Sequence, residues 1–237
     1  MITGEKFGFK EQKSENEQIR QLQLELRKAQ MDQHFIFNVL ASIEYFLLKN
    51  DTQSAREYLK KFSQLIRQTL NNSRRKYITL QEDLCALKLY TELELFRLDV
   101  KHEVKIELDE KIDPTTICTE GLLIQPFVEN AIKHGINTIS KACQILIKVS
   151  NLENELHCVV QDNGRGRDKK LIHLNSVCSG ITITQERLQY LHNHFRTRYV
   201  FQMNDLVDQN GNPAGTSVQF TLPFELSENV SMENRCI

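Results

Sequence analysis

Between residues 9 and 113 the chain contains neither glycine nor proline. Both residues break helices, so their absence over so long a run permits long helices there. All four prolines, and seven of the nine glycines, lie from position 114 onward. Their return marks a turn-rich α/β segment. The chain therefore reads as a helical first half joined to a mixed second half. Its 237 residues suit one large domain or two small ones.

The first half carries a narrow apolar seam. Ile19, Leu22, Leu26, Ala29, Gln33, Ile36, Leu40, Ile43 and Leu47 are spaced alternately three and four apart, and only Gln33 is polar. That is a heptad pattern, suited to helix-on-helix packing. Asn50, Asp51 and Thr52 interrupt it. Ser54 and Glu57 are spaced as a capping box for a second helix, with Ala55, Leu59, Phe62, Ile66 and Leu70 toward one side. Two helices with a short connection make an antiparallel hairpin, and two such hairpins from two chains make a four-helix bundle. After a polar hinge over 71–79, Thr79 and Glu82 open a third helix that runs to about Arg97.

The period then changes. Val104, Ile106 and Leu108 alternate with polar residues, as in a half-buried strand. A helix is expected over Gly121–Ile136, strands at Cys143–Val149 and Glu155–Gln161, and a helix from about Thr184 to Phe195. Strands at Tyr199–Leu206 and Ser217–Leu222 close the pattern, and the final dozen residues read as a loose tail.

Bulk properties exclude several functions. Lys+Arg 30 against Asp+Glu 31 leaves a net charge of -1, which gives no broad electrostatic footprint for direct nucleic-acid binding. The opening residues contain no apolar run of the signal-peptide kind. No stretch approaches the roughly 20 apolar residues that span a bilayer. A cytoplasmic location is expected, with membrane attachment only through a segment absent from this chain. Six cysteines at 85, 118, 143, 158, 178 and 236 lack metal-site spacing and read as free thiols.

The chemistry-bearing motifs come in a fixed order. Phe127-Val-Glu-Asn-Ala-Ile-Lys-His-Gly135 lies on a helix. Asp162-Asn-Gly-Arg-Gly166 follows an alternating strand. Gly180 leads into Gln185-Glu-Arg-Leu188, and Gly215-Thr216 precedes the last strand. A nucleotide site needs a reader for adenine, oxygen ligands for Mg²⁺ and backbone freedom near phosphates. Asp162, at a strand end, can accept from the adenine amino group. Gly164 and Gly166 let the backbone bend and approach a ligand closely. Asn130 offers a neutral oxygen for Mg²⁺ that the phosphates share. Lys133 and His134, three and four residues on, are within reach of phosphate. Taken singly, each motif has a plainer reading: DNGRG as a hairpin turn, ENAIKHG as a helix ending at a glycine cap.

Together they make the sequence recognisable. Residues 121 to 224 resemble the GHKL (Bergerat) ATP-binding domain shared by histidine kinases, type II topoisomerases and MutL. ENAIKHG resembles its N box, DNGRG its G1 box, Ser179-Gly180 its G2 region and Gly215-Thr216 its last turn. Upstream, Lys28-Ala-Gln-Met-Asp-Gln-His-Phe-Ile-Phe-Asn38, with Leu40 and Ile43, resembles the LytS-type sensor histidine kinases, as does Tyr90-Thr-Glu-Leu-Glu-Leu-Phe-Arg97.

The resemblance implies an α+β architecture. A helical dimerisation and phosphotransfer region occupies 16–75 and an α/β sandwich ATP-binding domain occupies 76–225, with tails at 1–15 and 226–237. It implies Asn130 as Mg²⁺ ligand, Asp162 as adenine reader, Thr216 as its support, and Gly164, Gly166 and Gly180 as shapers of the phosphate-side lid. It implies a homodimer that uses ATP and Mg²⁺ to phosphorylate His34 and passes the phosphoryl group to an aspartate of a response regulator of the LytTR type. A neutral imidazole is available at cytosolic pH, and Asn38, one helical turn after His34, is placed to orient the ring or the incoming phosphate. The other histidines, His192 and His194 among them, read as surface residues.

The chain departs from the family pattern at three places. Gln33 replaces the proline before the phospho-acceptor. The G2 region reads Gly180-Ile-Thr-Ile183 without a second glycine. Pro126 stands where ATPases of the superfamily carry a water-activating carboxylate, which argues against hydrolysis and for transfer to histidine. The competing function is a nucleotide-binding dimeric scaffold with little catalysis.

Overall fold

The computed structural model describes residues 33–96, 102–136, 142–152, 155–167 and 180–228. The seam positions from Ile19 to Ala29 lie outside them. The first described helix, α1 (Gln33–Leu48), ends where the heptad breaks. Asn50 takes a left-handed conformation at φ 55. Its N–H bonds to the Leu47 carbonyl at 3.0 Å, and that of Asp51 to Phe46 at 2.9 Å. This is the Schellman arrangement, with asparagine in the position glycine usually takes.

Asp51 then caps α2 (Thr52–Ser73), its carboxylate accepting from the Ser54 N–H at 3.0 Å. The cap is therefore Asp51, three residues ahead of the expected Ser54, because its carboxylate already meets the orphan donor of the first turn. The buried side of α2 also differs from the expected stripe. Ala55, Tyr58, Leu65, Thr69 and Asn72 face inward, while Leu59 and Leu70 stay half exposed.

The hinge after α2 contains a short strand, β1 (Ile78–Thr79), which feeds α3 (Leu80–Phe96). The expected capping box forms here. The Thr79 N–H donates to Glu82 at 2.9 Å and the Glu82 N–H to the Thr79 hydroxyl at 3.2 Å. Arg75 adds a two-pronged bond to the same carboxylate, and together these donors hold the Glu82 carboxyl below its usual range despite its partial burial. Helix α3 is sandwiched over most of its surface, with Gln81, Lys88 and Phe96 left exposed. On one side Tyr58 of α2 donates to the Leu93 carbonyl, and Phe35 of α1 lies against Tyr90. The other side joins the core beneath the sheet.

That sheet has the order β2-β4-β5-β7-β6: β2 (Glu103–Leu108), β4 (Gln144–Leu152), β5 (Glu155–Asp162), β6 (Phe201–Val207) and β7 (Pro213–Pro223). β2 and β4 are parallel and the remaining neighbours antiparallel. Period-2 alternation turns Ile145, Ile147 and Val149, then Leu156, Cys158 and Val160, then Val218, Phe220 and Leu222 onto one buried face. Two helical pieces cover it. One is α4 (Gln125–Asn130), which continues as a π-helical turn over Ala131–Ile136; the other is α5 (Gly180–Phe195). Phe127 of α4 meets Phe220 at a ring separation of 4.7 Å.

A second sheet, order β1-β3-β8, was not apparent from the sequence. Its strands β3 (Ile117–Thr119) and β8 (Glu225–Leu226) are too short for periodicity to show. β8 occupies the start of the expected C-terminal tail, and the Ser227 N–H continues the pairing to Thr116 at 2.7 Å.

His192 corrects the sequence reading. It is buried at 1% exposure rather than on the surface. One ring nitrogen meets the Thr197 hydroxyl at 2.7 Å and the other the Thr221 carbonyl at 3.0 Å. It fastens the end of α5 to β7, where Arg196 at φ 57 closes the helix with a second Schellman bond from Thr197 to the His192 carbonyl. Helix periodicity alone gave no sign of which side of α5 the sheet would cover.

The expected helix over Gly121–Ile136 begins four residues later, at Gln125. Its first part is a tight turn in which Leu122 adopts φ 63, a costly conformation for a branched side chain. The Leu122 N–H donates at 3.0 Å to Asp83 of α3. Burial raises the Asp83 carboxyl from 3.8 to about 6, against the lowering effects of that N–H and of Arg187. The folded state thus favours the neutral acid, so stability falls as pH rises from about 4 to about 6 and is then flat. An Asp83→Asn protein, which keeps an acceptor for Leu122, is predicted to be more stable than the parent by about 2 kcal/mol at pH 7.5 and no more stable at pH 4. Urea melts at the two pH values measure this; a loss of stability at pH 7.5 would refute it.

Candidate nucleotide site

The alternation that builds β5 also delivers Asp162. Counting in twos from Leu156, through Cys158 and Val160, puts its carboxylate on the buried face, at 3% exposure. Thr216 follows from the same count on β7, and the two residues are direct partners across the strands. A carboxylate in this position requires donors. The Gly164 N–H supplies one, to Oδ1 at 2.9 Å. Burial pushes the Asp162 carboxyl above its usual range, while backbone bonds from Gly164 and Thr216 pull it down.

Three glycines surround this carboxylate, each excluding a side chain. A Cβ at Gly135 would stand 2.8 Å from the Asp162 Oδ1. One at Gly164 would overlap the Gly135 carbonyl, and one at Gly215, at φ 126, would overlap the Asp162 carbonyl. The last turn of the Phe127–Gly135 stretch is therefore pressed directly against the DNGRG loop, and the Arg165 N–H bonds to the Gly135 carbonyl at 3.1 Å. Gly166, at φ 73, bends the loop outward beside Pro213. Asn163 anchors the loop's other edge by accepting from the Gln144 N–H at 2.7 Å.

Asn130 is half-buried at the end of α4, where the helix widens into the π turn. Such turns are rare and concentrate at functional sites. They also alter angular spacing, so the α-helical count that related Lys133 and His134 to Asn130 does not carry across residues 131–136. Lys133 stands 3.9 Å from Glu129, which also accepts from Gln125 at 2.9 Å. The carboxylate next to Asn130 is thus held along the helix by its own neighbours. The His134 side chain lies outside the described residues. Pro126 occupies the first turn of α4, where no N–H partner is needed.

Gly180 is the first residue of α5, and Pro126 is its near neighbour, 4.0 Å from where a Cβ would be. Helix α5 therefore starts at the glycine rather than at Thr184, and it begins beside the start of α4. The donor set fits a purine nucleotide. It offers a buried acceptor at Asp162, glycine-lined backbone beside it, and an amide and an ammonium group on the adjoining helix. Asn130 would offer a single neutral oxygen, which suits a Mg²⁺ ion held mainly by phosphate oxygens and water. Among the described residues no cluster of three or more His, Cys, Asp or Glu is placed to hold a metal ion alone.

His34 and Asn38 belong to a different region. They lie on α1, which packs on α2, and α1 meets α3 through Phe35. His34 is exposed, and Asn38 Nδ2 is 3.1 Å from its Nδ1. The four-residue spacing places both on one side of the helix. A residue pair that sequence reasoning passed over is Glu120 and Arg187. Arg187, within the Gln185-Glu-Arg-Leu188 stretch, is buried and ion-paired with Glu120.

Gly164→Ala is predicted to separate the DNGRG loop from Gly135 and to weaken ATP binding at least tenfold, the glycine contact being backbone on backbone. Titration with a fluorescent ATP analogue measures it. Affinity within twofold of the parent would show that the close approach is dispensable.

The model of the histidine kinase family matches residues 22–102. The sensor protein LytS of Staphylococcus epidermidis is 27% identical over 210 residues, covering 89% of this chain and 35% of that protein. The sensor histidine kinase/phosphatase LytS of Staphylococcus aureus is 27% identical over 221 residues, 92% of this chain and 37% of that protein. Among solved structures, a histidine kinase domain from Erythrobacter litoralis superposes with a TM-score of 0.49 at 15% identity, covering 86% of this chain and 93% of that one. The chain spans little more than a third of the length of the curated relatives it matches. Residues 22–102 thus match the histidine kinase family, and over most of its length the chain is similar to the LytS sensor histidine kinases.

Proposed function

We propose that this chain is the kinase core of a two-component sensor, which uses ATP to phosphorylate its own His34 and then passes the phosphoryl group to an aspartate of a response regulator of the LytTR type. The observation that carries the reading is the glycine-enclosed Asp162. A buried, partly satisfied carboxylate at a strand end, bordered by loop backbone, suits recognition of the adenine amino group. Thr216 supports it from β7. Asn130 and Lys133, with His134, would face the phosphates, and Gly166 and Gly180 border the lid. Mg²⁺, when bound at Asn130, supplies charge neutralisation on the transferring phosphoryl group. Transfer of this kind needs positioning more than covalent assistance.

At the acceptor, Asn38 sets the state of the ring. An amide can present either its NH₂ or its oxygen to Nδ1. With the oxygen inward, Nδ1–H donates and Nε2 keeps its lone pair for attack on the γ-phosphorus. The departing ADP takes the electron pair of the broken bond. The division into a phosphotransfer region over 16–75 and an ATP-binding region over 76–225 follows the same reading.

The active form is a homodimer. Leu40 and Leu47, two positions of the heptad seam, remain 50% and 53% exposed, while Phe35 and Val39 of the same helix are buried within the chain. Leu59 and Leu70 of α2 are similarly exposed. Faces of two helices left bare in this way suit a four-helix bundle with a second copy. Among the described residues no helix is long and apolar enough to cross a membrane.

Incubation with γ-labelled ATP and Mg²⁺ tests the chemistry. Acid-labile, alkali-stable label is expected on the parent and absent from His34→Ala, which should still bind nucleotide. Asn38→Ala should label about tenfold more slowly. Asp162→Asn should lose binding by about a hundredfold, as expected when a buried polar partner is mismatched. Tight ATP binding with no label on the parent would instead identify a nucleotide-binding scaffold. Leu40→Asp is predicted to shift the protein from dimer to monomer in sedimentation, since a charge in a helical seam opposes its burial. A variant that stays dimeric would place the interface elsewhere.

A further inference from the structure

The turn that leads into α4 is clamped from two sides. From α3, Asp83 accepts the N–H of Leu122, whose left-handed φ of 63 would otherwise relax. From α5, Arg187 reaches across with the Nε–Nη2 edge of its guanidinium. Its Nε and Nη2 donate to Glu120 Oε1 at 3.2 and 2.7 Å, and Nη2 also donates to the Gly121 carbonyl at 3.0 Å. The side chains of the pair are 9% and 11% exposed. Gly121 itself is packed tightly enough that a Cβ there would stand 2.7 Å from Ile78 Cδ1. Neither Glu120 nor Arg187 is among the residues assigned above to ATP, Mg²⁺ or His34.

We propose that Arg187 and Glu120 form a positioning pair, which sets the spacing between the helix carrying Asn130 and the start of α5 and thereby sets the affinity of the site for ATP. The proposal rests on the nucleotide-site reading of Asp162 and Asn130. A buried ion pair is a weak source of net stability, because desolvation offsets the attraction, but its geometry is exacting. The guanidinium fork is rigid and planar, so it fixes direction as well as distance. Here it joins the two elements that flank the site. Helix α5 begins at Gly180 beside Pro126, and α4 begins three residues after Leu122. The pair therefore ties the turn ahead of α4 to α5 about two turns beyond Gly180. Lysine in place of Arg187 keeps the charge and loses the fork.

The test uses the full chain with Arg187→Lys and Glu120→Gln, and Asp162→Asn as reference. Michaelis constants and maximal rates of His34 labelling are read with direct titration of a fluorescent ATP analogue and melting temperatures without nucleotide. Arg187→Lys is expected to raise both the KM for ATP and the analogue's Kd about tenfold, with the maximal rate within threefold of the parent and the melting temperature within a few degrees. Glu120→Gln, which keeps one acceptor, should raise both constants about threefold. Unchanged KM and Kd with a lowered melting temperature would reduce the pair to a structural contact and overturn the proposal. So would a fall in maximal rate alone. If Arg187→Lys does not fold, Glu120→Gln decides by the same two constants. Weakened binding in Asp162→Asn beside normal binding in both pair variants defeats the positioning role only. A parent protein that fails to bind ATP overturns the site reading and this proposal together.

Discussion

A carboxylate buried at the end of a strand keeps its charge only if the backbone around it supplies donors, and backbone comes that close only where side chains are missing. At Asp162 this requirement shapes much of the second half of the chain. It places glycine at 135, 164 and 215, brings the end of the π turn onto the loop after β5, and fixes the register of β5 against β7. The pairing of Asp162 with Thr216 would be lost by a one-residue slip, which would also turn Leu156, Cys158 and Val160 away from the core. Core packing and site geometry are therefore held by one and the same register.

The helical half obeys a different constraint. Helix α3 keeps only a narrow side, through Gln81 and Lys88, open to water, since Tyr58 and Phe35 cover it from the hairpin and the sheet core covers it from below. The hairpin is thus built on α3 by aromatic contacts and by the Tyr58 bond to Leu93. Its outer seam, at Leu40, Leu47, Leu59 and Leu70, stays exposed. In the proposed phosphotransfer His34 would have to meet the nucleotide, and the aromatic contacts that hold the hairpin on α3 would then govern that encounter.

Much of this was legible in the chain itself. Strand alternation placed Asp162 correctly because a half-buried strand has a rigid two-residue period. The Thr79–Glu82 box was readable because both of its members lie in one local turn. What could not be read depends on the partner element. Whether His192 faces water or the sheet is decided by where β7 lies. The stripe of α2 that turns inward, through Tyr58 and Leu65, is decided by α3. The π turn after Asn130 has no period signature in six residues, and β3 and β8 are too short to alternate. Arg187 and Glu120 are separated by 67 positions, and each looks like an ordinary surface charge in its own neighbourhood.

The small β1-β3-β8 sheet bears on the order in which the chain assembles. The hairpin and α3 make contacts close in sequence, which form quickly. The partners of β3, by contrast, lie on opposite ends of the α/β half, since Ile117 pairs with Leu226 and Thr119 with Ile78. Closing a loop of that length carries an entropic cost before any contact repays it. During synthesis β3 is left with a bare edge until the residues of β8 have emerged. The strand leading to the Glu120–Leu122 turn is thus completed only after the residues of α4 and α5 have themselves been synthesised.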